Sequence, residues 1–126
     1  MEGTNFELVG DFMEAFGQDV LDEPDLRDRD LQQLRVDLIA EELQELKDAL
    51  RANDPVEVAD ALTDLLYVIY GAGHAFGLDL DSCFSEVHLS NMSKLGEDGR
   101  PIYREDGKIL KGPDYWPPDL DSIIYD

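Results

Sequence analysis

The 126-residue chain has few of the residues on which several classes of site depend. Its single cysteine, Cys83, excludes an intramolecular disulfide and a cysteine-rich zinc site. No apolar run approaches the roughly 20 residues that a membrane-spanning helix requires. Residues 1–10 lack the basic and apolar regions of a secretory signal. We therefore expect a cytoplasmic protein that has no membrane partner.

Positively charged residues are few compared with negatively charged ones. Ten Lys and Arg face thirty Asp and Glu, which leaves a formal net charge of −20. Such a chain repels the phosphates of a nucleic acid polymer and the anionic surface of a membrane. Carboxylates are, in contrast, the oxygen ligands that Mg²⁺, Mn²⁺ and Ca²⁺ prefer. The composition excludes general nucleic-acid binding and favours the binding of cations.

The few cations are unevenly placed. Residues 52–93 contain no Lys or Arg but carry seven Asp and Glu, and five Lys and Arg follow within residues 94–111. One interpretation is an acidic centre that holds metal, followed by a basic segment that holds phosphate. The alternative is a solvated acidic face and an ordinary tail.

Hydrophobic periodicity predicts an all-α fold. The predicted helices cover residues 5–16, 28–51 and 55–76, and a shorter helix runs from Asp79 or Asp81 to about Met92. Residues 93–126 hold four of the ten glycines and four of the six prolines, which indicates an irregular arm with a small hairpin around Asp106-Gly107. We predict one domain over residues 1–126, with a helical core at about 4–93 and an arm at about 94–126.

Carboxylates lie on faces of the two long helices where apolar residues are expected. Glu42 and Glu45 project inside the apolar arc of the second helix. The third helix is apolar almost all round, as a buried helix is, except for a narrow stripe of Glu57, Asp60, Asp64 and Tyr67. Because the turn at residues 53–55 is short, the two helices pack as an antiparallel hairpin and bring these acids together.

Four to six carboxylates in one small volume raise each other's pKa and destabilise the fold. A divalent cation removes this conflict. With no His or Cys in the cluster and no twelve-residue calcium loop, oxygen ligands alone favour Mg²⁺ or Mn²⁺. The alternative is a structural acid cluster that pairs with a distant arginine.

Four other side chains are weaker signals. His74 and His88 are predicted to be packing or surface histidines, and Cys83 a small core residue. Trp116 either anchors the arm or stacks on a base, and we favour the anchor.

Several motifs occur together in a known order. Glu41-Glu42-Leu43-Gln44-Glu45 resembles the Glu-Glu-x-x-Glu motif of the MazG-like all-α nucleoside triphosphate pyrophosphohydrolases, relatives of phosphoribosyl-ATP pyrophosphohydrolase and of the dimeric dUTPases. Residues 60–71 resemble the second metal helix of that family. Residues 86–94, 106–111 and 117–120 are similar to its small bacterial and phage branch. The resemblance covers nearly the whole chain from residue 12 onward and implies a helical bundle built on the hairpin.

The second family motif, Glu-x-x-Asp, has two possible registers. Glu57-Val58-Ala59-Asp60 fits its letters, whereas Asp64 before Leu65-Leu66 fits its context. We favour Asp60 with Asp64, because they lie one turn apart and farther from the hairpin turn. Glu57 is kept as a reserve ligand.

The resemblance implies hydrolysis of a nucleoside triphosphate between its α- and β-phosphates. Glu42, Glu45, Asp60 and Asp64 would hold two or three Mg²⁺ or Mn²⁺ ions. Glu41 is the candidate that orients or deprotonates the attacking water. The residues expected to grip phosphate or substrate are Asn91, Lys94, Arg104, Lys108, Lys111 and Tyr67.

The resemblance also has implications for the base of the nucleotide and for the oligomeric state. Phe12 and Phe16 are possible flanks of the base, although core packing explains them equally well. Similarity to a phage MazZ-type branch implies dGTP or GTP, in the host cytoplasm if the chain is phage-encoded, and dUTP is the alternative. Family members assemble as homodimers or as homotetramers that are dimers of dimers.

A hypothesis of another class is a non-enzymatic acidic interaction protein, such as a DNA mimic. It explains the net charge of −20 directly. It does not explain carboxylates on core-facing stripes, because a mimic needs its charges on the outside.

Overall fold

The computed structural model describes residues 3–125, so Asp126, the last residue of the predicted arm, lies outside it together with Met1 and Glu2. The chain divides into two compact units, one ending at Leu78 and the other beginning at Asp79. The elements are α1 (Asn5–Ala15), α2 (Arg29–Arg51), α3 (Pro55–Ala75), α4 (Leu80–Met92), β1 (Ile102–Tyr103), β2 (Ile109–Leu110) and α5 (Leu120–Tyr125). The all-α prediction is confirmed, with one two-stranded sheet among the described residues.

The first unit is built on the hairpin of α2 and α3. The side chain of Asp28 accepts a hydrogen bond from the backbone N–H of Leu31 and caps α2. Asp54 caps α3 in the same way, and Pro55 occupies the first helical position. Both α1 and α2 pack on α3. The predicted antiparallel hairpin is confirmed.

A small core joins α1 to α3. Val9, Met13 and Ala75 are buried together, with partly buried neighbours packed around them. His74 is buried beside them, its Nε2 atom 2.6 Å from the carbonyl oxygen of Phe6. Its ring stacks on the Phe6 ring at a centroid distance of 3.8 Å. The prediction of a packing histidine is confirmed for His74.

The sequence predicts that α3 is buried on all sides, and in the single chain it is not. Leu62, Leu66 and Ile69 remain exposed. The reason is geometric: α1 and α2 cover the sides of α3 that face them and leave its outer side open. Among the described residues, no helix is both long and apolar enough to cross a membrane.

The second unit holds α4, the hairpin and α5. Asp79 caps α4, and β1 pairs with β2 in antiparallel register around the predicted turn. Helix α5 was not predicted, because six residues are too few to show a periodicity. The local signal was Asp119, whose carboxylate accepts hydrogen bonds from the backbone N–H and the hydroxyl of Ser122.

Within this unit the arm is fixed to α4 by side chain to backbone bonds. The Ser90 hydroxyl donates to the carbonyl oxygen of Trp116 at 2.8 Å, and the Trp116 N–H donates to the Ser93 hydroxyl oxygen at 3.1 Å. The N–H of Asp119 donates to the Glu86 carboxylate at 2.7 Å. Residue 116 therefore anchors the arm through its backbone.

Candidate metal centre

Three carboxylates meet between the hairpin helices. Glu42, Glu45 and Asp64 each offer an oxygen, and these oxygens lie within 4.8 Å of one another. Glu42 and Glu45 are one turn apart, so they share a face of α2, and the antiparallel packing places Asp64 of α3 opposite them. The structure thus brings together three of the four sequence-predicted metal ligands.

Within the described part of the chain, no Lys or Arg forms an ion pair with these three acids. The Oε2 atom of Glu42 is buried and has no hydrogen-bond partner among residues 3–125. Burial, a hydrogen bond with Glu45 and the charges of Glu45, Asp64 and Glu41 raise the pKa of Glu42. Burial, followed by the charges of Asp60 and Glu45, raises the pKa of Asp64. An orphaned oxygen amid mutually repelling carboxylates fits a divalent cation with oxygen ligands.

Asp60 and Glu57 lie outside the three-carboxylate group. They line an open cavity of about 460 Å³ toward the hairpin turn, together with Glu45 and Asp48. The charge of Asp60 still reaches Asp64, since it contributes to the raised pKa of that residue. Glu41 is exposed on α2, next in the chain to Glu42.

An aromatic group lies one turn along α3 from Asp64. The ring of Tyr67 meets that of Phe12 edge-on at 5.5 Å, and Phe12 contacts Phe16 at 4.4 Å. All three rings are accessible in the single chain, with exposed fractions of 39% for Phe12, 69% for Phe16 and 40% for Tyr67. These residues are therefore available to a planar ligand, whereas Val9 and Met13 of the same helix form the core.

Apart from Tyr67, the residues predicted to grip phosphate or substrate belong to the second unit. Asn91 is exposed on α4, Lys94 is half-buried just after it, and Lys108 is exposed on the hairpin. Arg104 holds Asp106 with two hydrogen bonds, which raise the pKa of Arg104 and lower that of Asp106. The ammonium of Lys111 sits 4.8 Å from the centre of the Tyr115 ring.

The sequence patterns described above do not single out one polar residue of the hairpin, Arg35. Arg35 is buried on α2 and faces Gly71 of α3. The available signal was its place on the stripe that continues through Leu38, Glu42 and Glu45 at steps of three and four. Hydrophobic packing does not explain a cation at this position of an acidic chain.

Similarity to known proteins extends over most of the chain. The sequence pattern of the phosphoribosyl-ATP pyrophosphohydrolase family matches residues 9–91. An uncharacterized protein of Acanthamoeba polyphaga mimivirus is 34% identical over 114 residues, which cover 87% of this chain and 43% of that protein. The chain thus spans less than half the length of this relative. The crystal structure of a candidate NTP pyrophosphohydrolase from Exiguobacterium sp. 255-15 is 29% identical with a TM-score of 0.52, over 97% of this chain and 94% of that one.

Proposed function

The chain belongs to the phosphoribosyl-ATP pyrophosphohydrolase family, and we propose that it is a metal-dependent nucleoside triphosphate pyrophosphohydrolase. The proposed reaction cleaves the bond between the α- and β-phosphates and releases the monophosphate and pyrophosphate. The observation that carries the proposal is the convergence of Glu42, Glu45 and Asp64, with one buried and unpartnered oxygen on Glu42.

The proposed cofactor is two or three Mg²⁺ or Mn²⁺ ions. Glu42, Glu45 and Asp64 would hold the first ion, and Asp60, which lines the cavity beside them, would extend the site. Glu57 of the same cavity stays a reserve ligand. When bound, the cations supply positive charge that offsets the triphosphate and makes a bound water more acidic.

The remaining roles belong to side chains around the acids. Glu41 would orient or deprotonate the attacking water, since it is exposed, directly precedes Glu42 on α2 and contributes by its charge to the raised pKa of Glu42. Phe12, Phe16 and Tyr67 would take the base on their accessible rings. The proposed phosphate contacts are Asn91, Lys94, Arg104, Lys108 and Lys111. Arg104 would have to exchange Asp106 for phosphate.

The substrate that we propose is dGTP or GTP, with dUTP as the alternative. The similarity of the arm to the phage branch supports guanine, and the accessible aromatic group suits a large flat base. We place the enzyme in the cytoplasm, where nucleotides are its partners and neither a nucleic acid polymer nor a membrane is required. Its net charge of −20 agrees with that choice.

We also propose that the chain works as a homodimer or as a homotetramer built from two dimers. The support is the open side of α3, where Leu62, Leu66 and Ile69 are exposed in one copy. A second copy of this chain would remove that apolar surface from water.

The test is a panel of all common ribo- and deoxyribonucleoside triphosphates, with phosphoribosyl-ATP added, in the presence of Mg²⁺ or Mn²⁺. Chromatography of the products should show a monophosphate and pyrophosphate in equal amounts, most rapidly from dGTP or GTP. Preference for dUTP would select the alternative substrate. Release of single phosphate, or no release from any member of the panel, would refute the proposed reaction.

A further inference from the structure

Arg35 is a positively charged residue that is buried in the first unit. The residue is 8% exposed, and its Nε atom has no hydrogen-bond partner among residues 3–125. Burial lowers the pKa of Arg35, and no carboxylate of residues 3–125 opposes that effect. Arginine nevertheless stays protonated in proteins, so the buried charge and its N–H donors require a partner.

Arg35 differs from the other cations in the described part of the first unit. Arg27 pairs with Asp19, and Arg51 pairs with Asp48. Arg29 and Lys47 are exposed to solvent. A chain with thirty acids could easily have supplied Arg35 with a carboxylate, yet none of residues 3–125 forms an ion pair with it.

Gly71 provides the space for the guanidinium. A Cβ atom added at Gly71 would lie 2.9 Å from the Nη1 atom of Arg35 and 3.9 Å from the Sδ atom of Met13. Any side chain at this position would therefore displace the arginine head group. The contact fixes the guanidinium against α3 at a defined level of the hairpin.

Arg35 and Gly71 lie on the same two helices as the acids, at a greater distance from the hairpin turn. Arg35 precedes Glu42 by seven residues on α2, and Gly71 follows Asp64 by seven on α3, which is two turns or about 10 Å on each helix. Tyr67 lies between the two levels and contacts Phe12. Acids, then aromatic rings, then a guanidinium follow one another along the same hairpin.

We infer that Arg35 is the residue that reads the base, and that it takes the O6 and N7 atoms of guanine. The inference rests on the proposed function, which puts phosphates at the acids and the base on Phe12 and Tyr67. In that order the base would lie between the phosphates and Arg35, and the edge that we assign to Arg35 is the one that carries O6 and N7. A guanidinium fork matches the two acceptors of guanine. Adenine presents an N–H donor in place of O6, and uracil has a single acceptor, O4, on the corresponding edge.

The binding test uses nucleoside monophosphates without metal, so that it does not depend on turnover. Calorimetry should show that dGMP binds the native chain at least about tenfold more tightly than 7-deaza-dGMP, which lacks the N7 acceptor, and than dAMP. In Arg35→Met this difference should disappear. Arg29→Met, which removes an exposed arginine of the same helix, should leave it unchanged.

Arg35→Met removes an unpaired buried charge, so its melting temperature should be equal to or above that of the native chain. Gly71→Ala is the second variant, because it keeps Arg35 in the chain and replaces Gly by a better helix former. It should remain folded and also lose the discrimination between dGMP and 7-deaza-dGMP.

Turnover separates the role of Arg35 from the proposed reaction. If the native chain hydrolyses dGTP, Arg35→Met should lower the ratio of kcat/KM for dGTP to that for 7-deaza-dGTP toward one. A chain that hydrolyses nothing but shows Arg35-dependent binding of dGMP would refute the proposed function alone. Equal binding of the monophosphates by the native chain would overturn the inference. A change in the preference of Arg35→Met for tri- over diphosphates, without a change in the preference among bases, would overturn it too, since Arg35 would then contact phosphate.

Discussion

At the scale of single residues, Glu42 carries the sharpest electrostatic conflict of the site. Its pKa is raised in the folded chain by burial and by neighbouring carboxylates. The folded state therefore binds a proton at Glu42 more readily than the unfolded state does. The free energy of unfolding must then fall as pH rises from the ordinary pKa of a glutamate through the raised one.

Glu42→Gln removes that conflict and a metal ligand at once. In metal-free buffer at about pH 7, the variant should melt at a higher temperature than the native chain, and the difference should shrink toward about pH 4. Its turnover should fall at least about a hundredfold. Thermal melts across this pH range with a chelator, together with pyrophosphate release, measure both. Glu14→Gln, on an exposed glutamate of α1, should change neither, and near-normal turnover in Glu42→Gln would contradict the metal assignment.

Single residues also decide the register of the second metal helix. Asp64 belongs to the converging group, whereas Asp60 and Glu57 line the cavity beside it. Asp64→Asn should therefore cost at least about a hundredfold in kcat/KM, or about 3 kcal/mol of transition-state stabilisation. Asp60→Asn should follow closely, and Glu57→Gln should cost clearly less.

Steady-state kinetics of the three variants under one metal concentration give that order directly. Asp64→Asn and Glu57→Gln serve as each other's control, since both remove one negative charge from the same helix. An inactive Glu57→Gln beside a nearly normal Asp64→Asn would restore the register of Glu57 with Asp60.

At the scale of elements, α1 is held to α3 by the contact of His74 with Phe6. The imidazole is buried, stacks on the Phe6 ring and bonds its carbonyl oxygen. His74→Ala should lower the free energy of unfolding by about 2–4 kcal/mol, because it removes a hydrogen bond and leaves a cavity. Urea unfolding measures the loss. His88→Ala, at an exposed position of α4, should stay within about 0.5 kcal/mol of the native chain, and an equal loss in both would contradict the assigned role.

At the scale of the whole molecule, the net charge of −20 couples stability to cations. Mn²⁺ that binds only the folded site should stabilise the chain by about 2.7 kcal/mol at a concentration about 100 times its Kd. The melt must be run at constant ionic strength, because salt alone screens the self-repulsion. Glu45→Gln should lose most of the shift that Mn²⁺ produces. A native melting curve that Mn²⁺ leaves unmoved would refute the metal centre.

Assembly is the second property of the whole molecule. Sedimentation velocity should give the native chain a mass of two or four copies. Leu62→Lys, on the exposed side of α3, should shift it toward a single copy because it places a charge in the apolar contact. If the native chain sediments as a monomer at micromolar concentration, the proposed assembly is refuted.

The helices and the hairpin of this protein follow from local sequence. Asp28, Asp54 and Asp79 cap helices where the sequence predicts helix starts, since a cap depends on residues within one turn. The hairpin of α2 and α3 followed from the short turn at residues 53–55, and the acidic stripe on each helix followed from its periodicity. Among the described elements, only α5 is not predicted, because its six residues are too few to show a periodicity.

Which of those side chains meet depends on how the helices pack. That Asp64 joins Glu42 and Glu45 while Asp60 turns to the cavity depends on the rotation and offset of one helix against the other, which no local pattern specifies. The same holds for His74 on Phe6 and for Arg35 against Gly71, pairs separated by dozens of residues. Periodicity places a side chain on a face, and only packing places it beside another.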